Sequence, residues 1–445
     1  MALVFRRFFS SDLKTNLIHH LFDRGLITQV SSENAALAAN KKTAVYLGAD
    51  PTAQSLHLGN LVPLMVLVHF YIRGHDVFPL VGGATGYVGD PSGRQSERQQ
   101  MENDTRDKNV LAIQTQMRQL LERSAIMAKK YGYSEFGTIE PVNNYQWWSN
   151  VSMLGFLSTF GRHIRVSQML ARESVKQRLK SQQGIGFNEF TYQVLQAYDF
   201  YHLYTNKKVL FQLGGNDQWG NITAGIDLIS RLKPKDGPEP YGITVPLLTT
   251  PSGEKFGKSA GNAVFLDKTL TTPYTLYQYL LNSPDSVVES YLKMFTLLPL
   301  GKITEIMNEH NAEPELYYAQ HELARHVTSF IHGDESASAA RLVGRILFEH
   351  LSTSAAELIE AFRSQNLLLS MDQSNVVGVR WNQLLSSITR RSKSEINRLI
   401  QQGAVYFGLE RKKLDSPRLV EERDLDGTLL LIRLGKTDYF AVECV

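Results

Sequence analysis

The sequence predicts an α/β protein: a doubly wound parallel sheet, followed by an α-helical region and a small α+β unit. Two observations predict the sheet, since strand-like and helix-like patterns alternate near residues 43–81 and again near 209–249. A third predicts the rest, because the alternation stops after Thr272 and helical spacing of apolar residues takes over. At 445 residues the chain is long enough for about two or three domains.

Each half of the predicted sheet is a strand–helix–strand unit, which implies parallel strands and a right-handed crossover. The predicted elements are Thr43–Ala49, Gly59–Arg73 closed by Gly74, Asp76–Val81, Val209–Leu213, Asp217–Leu232 and Ile243–Thr249. Between the halves, residues 98–204 are predicted as a mostly helical insertion. Polar or Gly-rich segments follow the strands directly, and ligands of open α/β sheets bind at those carboxyl ends.

The predicted helical region covers residues 273–370 and ends at a break near Asp372–Gly378. The C-terminal unit is predicted to contain two short helices and three strands: Trp381–Ile388, Ser392–Gln402, Ala404–Phe407, Leu429–Leu434 and Asp438–Glu443. From Arg380 to Asp415 the chain carries eight basic residues against three acidic ones. That excess suits a polyanion, although a solvated charged face explains many such stretches.

Composition excludes several kinds of site. Cys444 is the only cysteine, so disulfides within the chain and cysteine-based zinc sites are excluded. No histidine cluster has metal-ligand spacing, and we expect no protein-bound structural metal. No apolar run is long enough to span a bilayer, so no membrane role is expected. The first eleven residues, MALVFRRFFSS, are basic, apolar and free of acids, as in a mitochondrial transit segment; a frayed terminus with chance arginines is the alternative.

Two short segments far apart in the chain carry the donors that a nucleoside triphosphate site requires. They are HLGN at His57–Asn60 and KFGKS at Lys255–Ser259. The second is not a Walker loop, because Ser252 stands where that motif needs glycine, and Gly82–Gly86 does not fit the dinucleotide pattern GxGxxG. The chain therefore handles phosphate by another arrangement, in which the two segments have to meet.

Together the two segments would neutralise charge that develops on a triphosphate. His57 and Asn60 stand at the start of a helix, where backbone N–H groups and the helix dipole favour an anion. Lys255 and Lys258 add two cations after a strand. The simpler alternatives are that His57 only caps the helix and that KFGKS is a solvated turn.

A third segment offers side chains for substrate recognition. Tyr192, Gln196 and Asp199 share one helical face and present a phenol, an amide and a carboxylate. A polar surface stripe is the alternative. Gly214–Gln218 continues the polar wall, with the Asp217 carboxylate suited to ribose hydroxyls.

These segments carry a family resemblance. In chain order, YLGADPTAQSLHLGN, VGGATGYVGDPSGRQSER, YQVLQAYDF, LGGNDQWGNITAG and KFGKS resemble the tyrosyl-tRNA synthetases of bacteria and organelles, and RRSKSEINRLIQQGAVY resembles an S4-like RNA-binding module. The resemblance implies a class I enzyme with a Rossmann-like catalytic domain over residues 12–271, a helical anticodon-binding domain over 272–371 and an S4-like domain over 376–445. Residues 1–11 would be the targeting segment.

The resemblance also implies roles for individual residues. Those implied for tyrosine are Tyr46 and Asp199 at the phenol hydroxyl, Tyr192, Gln196 and Asp90 at the α-amino group, Gln218 near the carboxyl group, and Asp50 beside them. Those implied for ATP are Asp50, Thr52, His57, Asn60, Gly215, Asp217, Lys255, Lys258 and Ser259. Those implied for the chemical step are Thr52, His57, Asn60, Arg94, Arg98, Lys255 and Lys258, the last four around the departing pyrophosphate.

The implied reaction activates L-tyrosine with ATP and Mg²⁺ to tyrosyl-adenylate, without a protein nucleophile. Tyrosine is then transferred to the 3′-terminal ribose of tRNA(Tyr). The resemblance further implies a homodimer and a place in the mitochondrial matrix.

Three positions depart from the commonest family pattern. Asn60 stands where a second histidine is frequent, Leu47 where a cysteine often lies near the ribose, and Arg94 where a lysine is frequent. None of them removes a group that the chemistry requires. Two alternatives stay open: a tryptophan substrate, since its synthetase shares the architecture, and a non-catalytic RNA scaffold derived from such an enzyme.

Overall fold

The computed structural model describes residues 15–92, 101–181, 184–247, 258–259, 262–349, 354–435 and 438–445. Side chains are described for these residues except at 258, 259, 262, 348 and 349. The chain forms two compact units. The first is Met1–Asp267 with Ser283–Leu323, and the second is Lys268–Asn282 with Ala324–Val445.

The first unit is built on a six-stranded sheet in the order β1-β6-β5-β2-β3-β4. All neighbours pair in parallel except β1 and β6. The chain winds outward in both directions from the β2–β5 pair, so the predicted doubly wound parallel sheet is confirmed, with its switch point between these two strands. A separate hairpin consists of β7 and β8. The strands are β1 (Gln29–Val30), β2 (Ala44–Ala49), β3 (Asp76–Val81), β4 (Val142–Asn143), β5 (Val209–Gly215), β6 (Tyr241–Val245), β7 (Lys258–Ser259) and β8 (Asn262–Ala263).

Helices cover both faces of this sheet and fill the stretch between its halves. In chain order they are α1 (Leu17–Asp23), α2 (Ala35–Ala38), α3 (Leu58–Tyr71), α4 (Thr85–Val88), α5 (Asn103–Lys129), α6 (Tyr145–Trp148), α7 (Met153–Thr159), α8 (Val166–Leu170), α9 (Glu173–Leu179), α10 (Phe187–Lys207), α11 (Trp219–Leu232), α12 (Pro273–Leu281), α13 (Asp285–Phe295) and α14 (Leu300–Ala312). Of these, α12 belongs to the second unit.

Helix α3 forms the centre of the first unit. From Leu61 to Tyr71 every residue except Pro63 is buried, so the helix has no polar face and has to be covered on all sides. It contacts β2, β3 and β5 of the sheet and also α1, α5 and α13. After it, Gly74 with φ of +88° turns the chain into β3, a conformation that glycine adopts without strain.

The remaining predicted elements of the first unit are present with different ends. Helix α11 is preceded by a 3₁₀ turn at Asn216–Gln218, so the predicted start at Asp217 falls in that turn. Strand β6 begins earlier than predicted and ends at Val245; residues 248–249 lie outside the described part. The stretch 98–204 is helical over most of its described residues, but it also contains β4.

The first unit extends beyond the predicted border at residue 271 and takes in 283–323. A buried guanidinium explains part of this. Arg24 donates hydrogen bonds to the carbonyl oxygens of Lys293 and Thr296, at 2.8 and 2.9 Å, and also to that of Leu298. Hydrogen bonds from a charged donor are stronger than neutral ones, so α1 is tied to the end of α13. The predicted domain roles are not decided by these borders and stay predictions.

The second unit combines helices with a five-stranded sheet in the order β11-β10-β12-β13-β9. Its core is centred on the buried Trp381, whose ring lies 5.1 Å from that of Phe407. Chain order from α14 onward is α15 (Tyr318–His332), α16 (Asp334–Glu349), α17 (Ala355–Ser364), β9 (Leu368–Met371), α18 (Trp381–Thr389), α19 (Lys393–Gln401), β10 (Val405–Phe407), β11 (Lys412–Lys413), β12 (Leu429–Leu434) and β13 (Asp438–Cys444).

The predicted helices and strands of residues 381–445 are all present, but the prediction of helix up to residue 370 is wrong at its end. Leu368–Met371 forms β9, which pairs in parallel with β13 at the edge of the sheet. A four-residue edge strand with two central exposed residues carries no readable alternation. No helix among the described residues has the length and apolar character needed to cross a bilayer.

Candidate active site

A cavity of about 830 Å³ lies at the carboxyl ends of β2 and β5, at the switch point of the sheet. Sites for small ligands and cofactors commonly have this size. The fold brings together here all the predicted site residues whose side chains are described. These are Tyr46, Asp50, Thr52, His57, Asn60, Asp90, Tyr192, Gln196, Asp199, Gly215, Asp217 and Gln218.

The HLGN segment forms the N-terminus of α3 as a reciprocal cap. His57 Nδ1 accepts the Gly59 N–H at 3.0 Å, and Asn60 Oδ1 accepts the His57 N–H at 3.0 Å. A neutral His57 ring therefore carries its proton on Nε2, and Asn60 keeps its NH₂ group as the donor. Capping and anion binding are thus compatible here, because the cap uses the acceptors His57 Nδ1 and Asn60 Oδ1, whereas an anion would be bound by N–H donors.

The chain that follows the lysine segment runs directly beside HLGN. Leu58 N–H donates to Val264 O at 2.9 Å, and Leu266 N–H donates to Leu56 O at 2.8 Å. In the β7–β8 hairpin, the backbone of Lys258 pairs with that of Ala263, the residue before Val264. The β7–β8 hairpin therefore links the backbone of Lys258 to Val264, which hydrogen-bonds to the start of α3.

Five predicted phosphate-binding side chains lie outside the described part of the structure. Arg94, Arg98 and Lys255 lie outside the described residues, and Lys258 and Ser259 are described by their backbone alone. Their roles stay predictions.

The Asp199 carboxylate accepts three hydrogen bonds from side chains of one neighbouring segment. Its Oδ1 accepts the indole N–H groups of Trp147 and Trp148, both at 2.8 Å, and its Oδ2 accepts the Asn144 amide at 2.9 Å. Burial raises the pKa of Asp199 to about 6, while these three hydrogen bonds oppose that shift and Asp50 adds to it.

Tyr46, which is on β2, lies next to Asp199, which is on α10. Its side chain is 2 % exposed, and its Oη has no hydrogen-bond partner among the described residues. Burial and the nearby Asp199 raise the pKa of Tyr46 well above its usual value, so the hydroxyl stays protonated. A buried hydroxyl without a partner in the protein is a group that a ligand can satisfy.

A series of hydrogen bonds links Asp199 to Asp50 through Asn144 and Thr85. Tyr192 and Thr85 donate to the two oxygens of Asp50, each at 2.8 Å. Asn144 donates to Thr85 Oγ1 at 3.1 Å as well as to Asp199. Burial, and then Asp50, raise the pKa of Tyr192 well above its usual value, so its hydroxyl is a donor at neutral pH.

The other wall of the cavity carries a network of amides. Gln218 Nε2 donates to Asp90 Oδ2 at 2.7 Å, and Asn221 Nδ2 donates to the side-chain oxygens of Gln196 and Gln218 at 3.1 Å. The Ser92 N–H donates to the other oxygen of Asp90 at 2.9 Å. Acceptors and amides thus surround a polar pocket beside the end of the cavity that Tyr46 and Asp199 line.

The Gly-rich segment after β3 supports the cavity. A Cβ on Gly82 would lie 2.1 Å from Asp50 Oδ1 and 2.3 Å from Thr85 Oγ1, and a Cβ on Gly83 would lie 2.2 Å from Asn143 Oδ1. The absence of side chains at these positions lets the β3 end approach the Asp50 carboxylate. This segment is therefore packing for the site rather than a dinucleotide fingerprint.

Sequence reasoning missed the side chains that hold Asp199 and the amide wall: Thr85, Asn144, Trp147, Trp148 and Asn221. One signal was available, because two of the four tryptophans stand side by side at positions 147 and 148. Their common target lies about fifty residues downstream, however, and only the fold shows it.

Among the described residues, no group of three or more His, Cys, Asp or Glu side chains is arranged to hold a metal ion. The donors and acceptors of the cavity can bind an anion at the start of α3 and a hydroxyl-bearing ring at Tyr46 and Asp199.

Known proteins are similar to this chain over most of its length. The family model of the class I tRNA synthetases for tryptophan and tyrosine matches residues 38–349. The mitochondrial tyrosine–tRNA ligase of Saccharomyces cerevisiae is 45% identical over 98% of this chain and 90% of its own length. The tyrosine–tRNA ligase of Levilactobacillus brevis is 38% identical over 96% of this chain and 99% of its own.

Solved structures agree. A C-terminally truncated mitochondrial tyrosyl-tRNA synthetase of Aspergillus nidulans superposes with a TM-score of 0.69 at 34% identity, over 78% of this chain and 100% of that one. The corresponding protein of Coccidioides posadasii gives a TM-score of 0.66 at 36% identity, over 77% of this chain and 97% of its own. The chain belongs to the tyrosyl-tRNA synthetase family, within the class I tRNA synthetases.

Proposed function

We propose that this protein is a tyrosine–tRNA ligase that forms tyrosyl-adenylate from L-tyrosine and ATP and then charges tRNA(Tyr). The observation that carries the proposal is the pairing of Tyr46 and Asp199, one hydroxyl and one carboxylate, both 2 % exposed, in a cavity that also contains the start of α3. A phenol hydroxyl can accept from Tyr46 and donate to Asp199.

In the first step, a carboxylate oxygen of tyrosine attacks the α-phosphorus of ATP, and the bond from that phosphorus to the pyrophosphate oxygen breaks. His57 Nε2–H, the Asn60 amide and the N-terminal N–H groups of α3 would stabilise the negative charge on the phosphates. Mg²⁺ would arrive bound to the triphosphate as part of the substrate. Lys255 and Lys258, with Arg94 and Arg98, would bind the leaving pyrophosphate.

In the second step, a hydroxyl of the terminal ribose of tRNA attacks the tyrosyl carbonyl carbon, and AMP leaves. No side chain of the protein becomes covalently attached in either step. Asp217 and Gly215, at the carboxyl end of β5, would hold the ribose of the adenylate.

Discrimination against phenylalanine follows from the same pair. Phenylalanine would leave the Tyr46 hydroxyl and one acceptor position of Asp199 buried without a partner, which is costly. The rejection of phenylalanine by this enzyme family is the standard illustration of the effect. Tryptophan is the remaining rival amino acid, since an indole N–H also suits Asp199.

The deciding experiment is exchange of labelled pyrophosphate into ATP with the full-length protein. We expect exchange that depends on tyrosine and is weak with tryptophan or phenylalanine. If tryptophan supports the fastest exchange, the amino-acid substrate is tryptophan and the assignment of tyrosine is wrong. No amino-acid-dependent exchange at all would favour the non-catalytic RNA scaffold.

We propose that tRNA contacts the C-terminal unit. Six of the eight basic residues between Arg380 and Asp415 have exposed side chains: Arg380, Arg390, Lys393, Arg398, Lys412 and Lys413. Arg391, by contrast, pairs with Asp438 at 2.9 Å and is half-buried. The variant Arg390→Glu/Lys393→Glu should lose tRNA charging at moderate salt and keep pyrophosphate exchange, whereas loss of both would show a general defect.

We propose that the protein forms a homodimer, because one stretch of the chain exposes many large apolar side chains. Residues 153–187 expose seven large apolar side chains by 43 % or more: Met153, Leu154, Leu157, Val166, Leu170, Leu179 and Phe187. Such a concentration is typical of an interface. Sedimentation should show a dimer that Leu154→Glu converts to a monomer; a wild-type monomer would contradict the proposal.

A mitochondrial location, in the matrix, is proposed from the names of the yeast and fungal relatives. Fractionation of cells that express the full chain with a C-terminal tag should recover the protein with matrix markers, protected from added protease. Recovery in the cytosol would contradict it.

A further inference from the structure

The donors around Asp199 leave only part of its carboxylate available to a ligand. An ionised carboxylate offers about four acceptor positions, two on each oxygen. Trp147 and Trp148 both donate to Oδ1 at 2.8 Å, and Asn144 donates to Oδ2 at 2.9 Å. Oδ1 is therefore saturated, and Oδ2 keeps a single position for one further donor.

These three donors cannot reverse their roles. An indole nitrogen donates and never accepts. The Asn144 amide is held in one orientation, since its Oδ1 accepts the Ala84 N–H at 2.7 Å, which directs its NH₂ group at Asp199 and Thr85. All three therefore bind the ionised carboxylate, and a proton on Asp199 could sit only at the position that faces the ligand.

The two tryptophans differ in their surroundings. Trp147 is buried and stacks on His202, with ring centroids 4.4 Å apart. Trp148 is half-buried and packs against the rings of Phe156 and Tyr198 at 5.4 and 4.8 Å. Neither lines the cavity, so neither would touch the substrate.

We infer that Trp148 is a positioning residue for specificity: its N–H completes the saturation of Asp199 Oδ1, keeps Asp199 ionised and leaves Oδ2 alone to accept the phenol hydroxyl. The inference rests on the proposed function, because it concerns how tyrosine is selected.

Burial works against this arrangement, since it raises the pKa of Asp199 to about 6. Asp199 is therefore ionised at neutral pH, but its pKa lies close enough to neutrality that losing one N–H donor would change its protonation. The other titratable groups that face Asp199 or its donors are Asp50, Tyr46, Tyr192, Tyr198 and His202.

The variant Trp148→Phe tests the inference, because it keeps an aromatic ring against Phe156 and Tyr198 and removes the N–H, together with part of the indole ring, whose packing the control variant tests. Pyrophosphate exchange is measured between pH 5.5 and 8.5, with tyrosine and with phenylalanine. We expect the acid limb of kcat/KM for tyrosine to move up by about one pH unit. The loss should appear in KM for tyrosine, and the preference for tyrosine over phenylalanine at pH 6.5 should fall roughly 3-fold, as the ionised fraction of Asp199 does.

Phe156→Leu is the matched control. It loosens the same ring cluster without touching a hydrogen bond, and it should leave the acid limb and the preference as in wild type. An equal shift in both variants would show that Trp148 acts by packing and would overturn the inference. The inference is also overturned if the wild-type protein shows tyrosine-dependent exchange and Trp148→Phe has its acid limb of kcat/KM at the same pH as wild type.

A measurement on the unaltered protein covers the case in which the variant does not fold. With four tryptophans, the indole ¹⁵N–¹H resonances can be assigned individually. Those of Trp147 and Trp148 should titrate together, with the midpoint of the acid limb, while an insensitive Trp148 resonance would refute the bond. If wild type lacks tyrosine-dependent exchange, the proposed function fails, and the titration still tests the Trp148–Asp199 bond by itself.

Discussion

Replacing Tyr46 by phenylalanine should separate ligand binding from stability. The Tyr46 Oη has no hydrogen-bond partner among the described residues, and its ring packs on Phe200 with centroids 5.4 Å apart. Tyr46→Phe keeps the ring and loses no protein hydrogen bond. We expect the free energy of unfolding to change by less than about 1 kcal/mol, and the affinity for tyrosine to fall roughly 2- to 12-fold, the value of one hydrogen bond.

Tyr192→Phe is the informative partner variant. Tyr192 is also buried in the cavity wall, but its hydroxyl donates to Asp50 at 2.8 Å. A hydrogen bond to a charged group contributes about 1.5–3 kcal/mol, so this variant should be less stable than Tyr46→Phe by about that amount. The two variants remove the same atom, which makes the comparison one of partners alone.

The assays are urea unfolding followed by circular dichroism and tyrosine binding by calorimetry, for both variants and wild type. Equal destabilisation by the two substitutions would refute the reasoning about Tyr46, since it would mean that its hydroxyl has a partner within the protein. Unchanged tyrosine affinity in Tyr46→Phe would show that this hydroxyl does not contact the substrate.

Further predictions concern other parts of the first unit. Arg24→Met should lower the free energy of unfolding by more than about 3 kcal/mol in a urea titration, since several buried charged hydrogen bonds are lost; an effect under about 1 kcal/mol would contradict this. Gly82→Ala should lower both the melting temperature and tyrosine affinity, because its Cβ would lie 2.1 Å from Asp50 Oδ1, and a variant with wild-type affinity would refute the close packing. Lys258→Ala should slow adenylate formation in single-turnover kinetics and leave tyrosine affinity nearly unchanged, whereas a large loss of affinity would show a different role. Asp199 has a folded pKa of about 6 against 3.8, so the folded state binds the extra proton and stability from this group should fall as pH rises from about 4 to 6. Asp199→Asn should lack this fall in the free energy of unfolding between about pH 4 and 6. The check is to measure urea unfolding of both proteins across that pH range and compare the two pH dependences.

The strands and helices with long regular patterns could be predicted from the sequence. Strand β3 has the predicted bounds Asp76–Val81, and α3 was visible because an apolar run ended at Gly74. The short strands β1, β4 and β9 could not be predicted. Two to four residues carry no periodicity, and these strands exist because a longer neighbour offers backbone partners.

The candidate site divides in the same way. Residues in compact motifs, such as His57 and Asn60, could be proposed because motif spacing reflects a local structure, here the N-terminal cap of α3. The groups that hold Asp199 could not, since Trp148 reaches it across 51 positions of sequence. Hydrogen bonds between distant segments are products of the tertiary fold, and a single sequence contains no record of them.

The tie between α1 and the end of α13 limits how far the chain can be shortened from its start. Asn16 caps α1 by accepting the Ile18 N–H at 2.9 Å, and it donates to Ala36 O at 2.8 Å. A protein cut after this residue would begin with an uncapped helix and would still have to hold the Arg24 guanidinium in place. We therefore expect a protein shortened upstream of Asn16 to be more stable than one shortened after it.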